Sequence, residues 1–303
     1  MTHEPHEPSP GLRSIDLPQD RPGFHHFISA WQFEDASGRR VLVDPGPAST
    51  IPLLLRELEA LGGPDLILLT HIHLDHSGGL AQLCEASPHA QVLAHPRAFA
   101  HLQDPHKLWS ASVATLGDVA LLYGEPAPLP PSAELLTEDP EGLIEVFQTP
   151  GHAPHHLCFR ATCGGRSLLF VGEAAGMVLP IEGGPGWLRP TTPPRFDAGA
   201  ALRSMDALLS ALRGDELLCY AHWGASASAR ERIEAARAQL VEWRAVVRDM
   251  RDAGPDAILD ELLRRDPFPA SLSPDLVERE MAFMRNSVLG LAASLDASTP
   301  KGA

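Results

Sequence analysis

The stretch Thr70-His71-Ile72-His73-Leu74-Asp75-His76-Ser77-Gly78-Gly79 sets three histidines and one carboxylate within six residues. It follows the apolar run Leu66-Ile67-Leu68-Leu69, which reads as a short buried strand, and Ser77-Gly78-Gly79 reads as a turn into a helix. Side chains two apart on a strand end point the same way, so His71 and His73 share a direction. Asp75 and His76 follow where the chain bends, and can face a second point close by. Imidazole and carboxylate are ligands that divalent zinc, iron and manganese accept. The plain alternative is a histidine-rich surface loop. Fifteen histidines in 303 residues make single histidines common, but four ligand groups at this spacing behind a strand point to a metal.

H-x-H-x-D-H after a strand resembles the signature of the metallo-β-lactamase superfamily, and the further residues that family needs follow in its order. Thr149-Pro150-Gly151-His152 supplies the next histidine, after the strand-like Leu143-Ile144-Glu145-Val146-Phe147. Leu168-Leu169-Phe170-Val171-Gly172-Glu173 supplies a carboxylate where the family usually has aspartate. Leu217-Leu218-Cys219-Tyr220-Ala221-His222 supplies the last histidine. The resemblance spans residues 12–224. It implies that His71, His73 and His152 hold one divalent metal, that Asp75, His76 and His222 hold another, and that Glu173 bridges them. Glutamate is one methylene longer than aspartate, so it can bridge, shift the metals or ligate only one. The family also carries D-x-G with an aspartate that steadies the ligands. Asp44-Pro45-Gly46 matches it, making Asp44 a candidate to orient a ligand histidine through its ring N–H; a plain turn aspartate is the competing reading. Many relatives carry G-H-x-P-G-H, so His156 matches the second histidine and is expected to hydrogen-bond outside the ligand set. His155 stands where those relatives have glycine and receives no role.

Two divalent metals about 3.5–4 Å apart can share a water, lower its pKa towards ~7 and present it to an electrophilic carbon or phosphorus. The resemblance therefore implies a metal-dependent hydrolase of an ester, thioester or lactone, with two divalent ions, zinc first and iron or manganese as alternatives. Asp75 is the expected catalytic residue, as the site that receives the proton. No G-x-S-x-G offers a competing nucleophile. T-H-x-H-x-D-H looks most like the glyoxalase II branch, whose members hydrolyse hydroxyacylglutathione thioesters and also end in helices. Relatives also include iron-dependent persulfide dioxygenases, di-iron oxygen reductases and phosphodiesterases that process nucleic acids. A complete ligand set argues against a mononuclear iron site and against a metal-free binding protein.

A net charge of −15, with no lysine- or arginine-rich run, argues against nucleic acid and anionic membranes as partners. A small-molecule substrate is expected. The N-terminus lacks a basic start and an apolar core, and no apolar run approaches the ~18 residues that span a bilayer. The cytoplasm is the default, and the four cysteines are expected to be free thiols.

Along the chain, residues 1–11 read as a disordered tail in which His3 and His6 carry no function. Strands are expected over 12–17, 24–33 and 40–43. Ile51, Leu54, Leu55, Leu58 and Leu61 make a helical stripe behind a cap at Ser49 or Thr50. Helices over 96–102 and 108–122 bring His101, His106, Trp109 and Tyr123 forward as pocket candidates, with packing preferred for each. Residues 180–195 read as an irregular Gly/Pro loop beside the metals, in which Arg189 and Arg195 could meet an anionic substrate, and 197–212 as a helix. Beyond 224 the chain becomes helical. Ile233, Ala236, Leu240, Trp243, Val247 and Met250 form one stripe, and Val277, Met281, Met284, Val288, Leu291 and Leu295 another. Core packing is the expected use of both, with a homodimer as the alternative. The expected fold is α/β: an αββα sandwich of two mixed sheets flanked by helices, with a catalytic domain over 12–224 and a helical extension over 225–303.

Overall fold

A computed structural model describes residues 6–59, 62–179, 181 and 186–298. Its first half runs β1 (His6–Ser9), β2 (Leu12–Asp16), β3 (Ser29–Glu34), β4 (Arg40–Val43), α1 (Ile51–Glu59), β5 (Leu66–Leu68), α2 (Leu74–Ser77), α3 (Leu80–Ala86), β6 (Gln91–Leu93), α4 (Phe99–Gln103), α5 (His106–Leu116), α6 (Asp118–Tyr123) and β7 (Glu134–Leu136). These strands form one sheet in sequence order, antiparallel as far as β4 and parallel from β4 to β7. The second half runs β8 (Glu145–Gln148), β9 (Leu157–Cys163), β10 (Arg166–Gly172), β11 (Met177–Leu179), β12 (Trp187–Arg189), α7 (Ala198–Ala211), β13 (Leu217–Tyr220) and β14 (Ala225–Ser226). The second sheet has the order β14-β13-β10-β9-β8, with β10 and β13 parallel and the other pairs antiparallel. Three helices end the described chain: α8 (Ala229–Asp249), α9 (Pro255–Arg265) and α10 (Pro274–Ser298).

The sandwich follows from the two-residue period of strands that are apolar on both faces. Trp31, Phe33, Val41, Val43, Leu66 and Leu68 turn inward and meet Phe159, Leu168, Phe170, Leu217 and Cys219 of the facing sheet in one cluster. Phe33 stacks on Phe170 with centroids 5.4 Å apart, and Trp31 gives its indole N–H to the Tyr220 carbonyl at 2.8 Å. The alternate residues, among them Leu42, Ile67, Leu169 and Leu218, face the helices in a second cluster. That cluster also takes in Ile233, Leu240, Trp243, Met284, Val288 and Leu291, so the C-terminal helices share the core of the helical layer. All four cysteines are free and buried.

Four expectations need correction. Residues 6–9 are a strand paired with β2, not tail; a polar, proline-rich edge carries no apolar period, and its pairing is made by backbone groups. The strand expected over 24–33 begins only at Ser29, because the chain turns at His26, φ +51°. Within the Gly/Pro loop, β11 and β12 pair as an antiparallel ribbon. A short 3₁₀ turn, Ala48–Thr50, leads into α1 in place of a side-chain cap. Leu61 of the α1 stripe and His3 lie outside the described residues.

Candidate metal centre

The loops after β5, β8, β10 and β13 meet at one edge of the sandwich and bring together the four residues singled out by spacing and the three implied by the resemblance. His71 Nε2 lies 2.9 Å from His73 Nδ1, and His152 Nε2 lies 3.0 Å from the same atom. Beside this trio, Glu173 Oε1 lies 3.1 Å from His76 Nε2 and 3.0 Å from His222 Nε2. Asp75 Oδ2 completes the second group at 3.6 Å from His76 Nε2 and 3.7 Å from His222 Nε2. The trio and the quartet each hold their ligand atoms within the span of one ion. Glu173 Oε1 is also 3.7 Å from His152 Nε2, so the longer side chain still reaches between the groups.

The outer nitrogens decide what the inner ones can do. His222 Nδ1 faces the Phe27 carbonyl at 3.1 Å and His152 Nδ1 faces the Thr191 carbonyl at 3.1 Å. A carbonyl only accepts, so both rings carry their proton on Nδ1 and leave Nε2 bare. Thr70 donates its hydroxyl to Asp44 Oδ2 at 2.7 Å and its N–H to Asp44 Oδ1 at 2.8 Å. Its oxygen therefore accepts from His71 Nδ1 at 3.1 Å, which bares His71 Nε2 as well. Asp44 Oδ2 also lies 3.3 Å from His76 Nδ1. The bare Nε2 atoms of His71, His152 and His222 thus converge at about 3 Å with His73 Nδ1 and Glu173 Oε1, beside His76 Nε2. Imidazole nitrogens and a carboxylate oxygen gathered in two such groups are the donors that divalent metals take, so this set fits divalent metals.

Burial, with the neighbouring histidines, drives His71 well below its ordinary pKa and His73 down to about 3, so both are neutral ligands at neutral pH. Burial opposes the ionisation of Glu173, but His76, His71 and His152 hold its carboxyl well below the usual range. Burial would also discharge His76, yet Glu173, Asp75 and Asp44 raise it well above its ordinary value. The proton this places on His76 is the charge that a bound cation would displace.

His71, His156 and Glu173 form a third candidate group. His156 Nε2 already accepts the Glu173 N–H at 3.2 Å, and its Nδ1 meets Thr149 Oγ1 at 2.8 Å. His156 therefore positions Glu173 and has no free nitrogen for a metal. The contact requires Gly172: at φ +51°, a Cβ there would lie 2.5 Å from His156 Nε2.

Of the remaining candidates, Tyr123 is buried, His106 is exposed, and none of His101, His106, Trp109 and Tyr123 joins a ligand group. Arg195 is exposed. Arg189, read as a surface arginine that could meet an anionic substrate, is instead buried and paired with Glu280. Sequence reasoning missed the Thr191 and Phe27 carbonyls, since a backbone acceptor leaves no mark in residue type. It also missed Trp223, next to His222 in the chain, whose ring lies tilted against that of His26 with centroids 4.3 Å apart.

The family model of the metallo-beta-lactamase superfamily matches residues 26–222. Over 194 residues the chain is 30% identical to a hydroxyacylglutathione hydrolase of Citrobacter koseri, covering 63% of this chain and 60% of that protein. A protein of the same description from an Enterobacter species matches at 30% over 193 residues, with the same coverage. The match thus spans about 60% of the length of these curated relatives. An archaeal metallo-beta-lactamase superfamily protein from Sulfolobus tokodaii superposes with a TM-score of 0.65 at 21% identity, over 93% of this chain and 98% of the other. A metallo-beta-lactamase family protein from Thermus thermophilus gives 0.63 at 22% identity, over 95% and 94%. At these identities the likeness is one of fold, and it extends into the C-terminal helices.

Proposed function

Since the chain belongs to the metallo-beta-lactamase superfamily, we propose that it is a metal-dependent hydrolase that cleaves a thioester, with esters and lactones within reach of the same chemistry. The observation that carries this reading is the convergence of imidazole nitrogens and Glu173 Oε1 at about 3 Å, in two adjacent groups. His71, His73 and His152 would hold one ion, and Asp75, His76, His222 and Glu173 the other. Two divalent ions, when bound there, supply a Lewis acid for the attacked carbonyl and lower the pKa of water. The chain supplies the rest. Asp44, Thr70, and the Thr191 and Phe27 carbonyls fix which nitrogen of His71, His76, His152 and His222 faces inward. His156 holds the backbone of Glu173. Asp75, its side chain 17% exposed against 3% for Glu173, is the carboxylate nearest the open side, placed to take the proton of the attacking water. The thioester preference draws on the likeness to hydroxyacylglutathione hydrolases. Completeness of the second group favours hydrolysis over mononuclear-iron persulfide oxidation.

Metal content by mass spectrometry, on protein purified without chelators or added metal, tests this reading together with turnover of S-lactoylglutathione and simple thioesters. About two zinc or manganese ions per chain with thioester cleavage is the expected result. One iron per chain and no turnover of thioesters, esters or lactones would overturn it.

A further inference from the structure

Among the described residues, four other than glycine hold a left-handed backbone, and two of the four meet: His26 at φ +51° and Trp223 at φ +59°. Their ring centroids lie 4.3 Å apart at an interplanar angle of 44°. A bulky side chain is disfavoured in this region, and residues held there cluster where function depends on them. Trp223 lies in the turn between β13 and β14, which the Tyr220 N–H closes on the Gly224 carbonyl at 3.1 Å. Glycine meets such a demand at no steric cost, as it does at the next residue, Gly224, φ +91°. The turn therefore does not account for the tryptophan ring.

Both residues flank the anchor of one ligand histidine. His222 precedes Trp223, and its Nδ1 donates to the carbonyl of Phe27, the residue after His26, at 3.1 Å. The Phe27 ring lies 4.6 Å from that of His222 and 4.1 Å from the buried Arg279 guanidinium, which donates through Nε to Glu280. Packing fixes the ring; the carbonyl depends on the backbone to either side. On one side the Ile28 carbonyl accepts the Leu17 N–H at 2.9 Å. On the other, both oxygens of Asp16 accept the His26 N–H, at 3.1 and 3.2 Å, and Oδ2 lies 3.2 Å from His26 Nδ1. The contacts close a ring: Asp16 to His26, His26 to Trp223, Trp223 along the chain to His222, and His222 to the carbonyl beyond His26. The His26 side chain is 55% exposed, so burial in the core does not explain its place in that ring.

We propose that His26 and Trp223 are positioning residues that act as one clamp. Their ring contact holds the Phe27 carbonyl against His222 Nδ1, and so keeps His222 Nε2 turned towards Glu173 Oε1 at 3.0 Å and Asp75 Oδ2 at 3.7 Å. Neither residue ligates; each acts through His222, and through it on the affinity of the second ion group. The inference deepens the two-ion hydrolase reading and rests on it for the metal, but its first readout needs no metal.

The test uses His26→Gly and Trp223→Gly in the full chain, separately and together. Each removes a ring and supplies the residue that a positive φ favours, so Tm is expected to change little. The exposed His26 keeps the test decisive if Trp223→Gly does not fold. The first readout is NMR of the imidazole nitrogens in metal-free protein at about pH 8, above the ordinary histidine pKa. His222 is expected as a single Nδ1–H tautomer in the unsubstituted chain and as a mixture of both tautomers in each variant. The second is titration with Zn²⁺ against a chromophoric chelator. Affinity for the second ion is expected to fall about 10–100-fold in each single variant, with the first ion unaffected. The double variant is expected to lose no more than either single one, because the two rings act through one contact. A chain that takes up no second ion but shows the tautomer change would sink the two-ion reading and leave the clamp standing. A single tautomer kept in both variants, an unchanged second-ion affinity, or losses that add in the double variant would overturn the clamp and leave the hydrolase standing.

Discussion

Asp44 serves three donors with two oxygens: the Thr70 N–H, the Thr70 hydroxyl and the Nδ1 side of His76. It does so at φ +52°, a region that aspartate tolerates better than most residues. Asp44→Asn would turn an amide N–H towards one of those donors, and the ring orientations of His71 and His76 both depend on this carboxylate. Metal affinity is expected to fall about 10–100-fold, read by competition with a chromophoric chelator. Unchanged affinity would reduce Asp44 to a turn residue. Glu173 gives a complementary test. Glu173→Asp withdraws the shared oxygen by about one bond length from His76 and His222, while the backbone stays held by His156. Metal stoichiometry is expected to drop from two ions towards one, with the His71, His73 and His152 trio retaining its ion. Two ions in the variant would show that the glutamate's length has no bearing on the second group.

At the scale of elements, α10 backs the site. Gly290 lies flush against the chain after β12, where a Cβ would overlap the Thr192 carbonyl. Thr192 donates its hydroxyl to the Ser287 carbonyl at 2.6 Å, and the preceding Thr191 carbonyl anchors His152. Gly290→Ala must push helix and segment apart, at an expected cost of about 1–3 kcal/mol in urea unfolding, together with weaker metal retention. A stable variant that loses no metal would sever α10 from the site. This dependence was not legible in the sequence, where α10 shows only as an apolar stripe. The strands behind His71, Glu173 and His222 were legible because burial on both faces forces continuous apolar runs. His71, His73, Asp75 and His76 were legible because metal ligation fixes residue type and spacing together, and His152, Glu173 and His222 through the resemblance those four carry. Arg189 and Arg279 were not, since arginine reads as solvent-facing and Glu280 lies 91 residues from Arg189. The β11–β12 ribbon was masked by its glycines and prolines, and Trp223 by the many ways an aromatic can pack.

For the molecule as a whole, the ligands come from both halves. His71, His73, Asp75 and His76 follow a strand of the first sheet; His152, Glu173 and His222 follow strands of the second. Bound ions would therefore stabilise the sandwich by linkage, about 4 kcal/mol for a single site at free metal 1,000-fold above its Kd. Dialysis against a chelator is expected to lower Tm, and readdition of metal to restore it. Acid should act elsewhere too, through the pair that ties β4 to the start of β5. The Asp65 carboxylate accepts from Arg40 N and Nε at 2.9 Å and from Nη2 at 2.7 Å. The Arg40 hydrogen bonds, working against partial burial, lower Asp65 to about 2, from an ordinary 3.8. The folded pKa is the lower one, so the unfolded chain binds more protons between the two values. The pair's contribution is thus complete above about pH 4 and is lost as pH falls towards 2. Metal binding is itself pH-dependent, so the comparison belongs on metal-free protein, as a difference between the unsubstituted chain and Arg40→Met. That difference in unfolding free energy is expected to stay level from pH 6 to about 4 and to narrow below it. A gap that stayed constant to pH 3 would assign Arg40's contribution to the packing of its methylene stem, with no part for its charge.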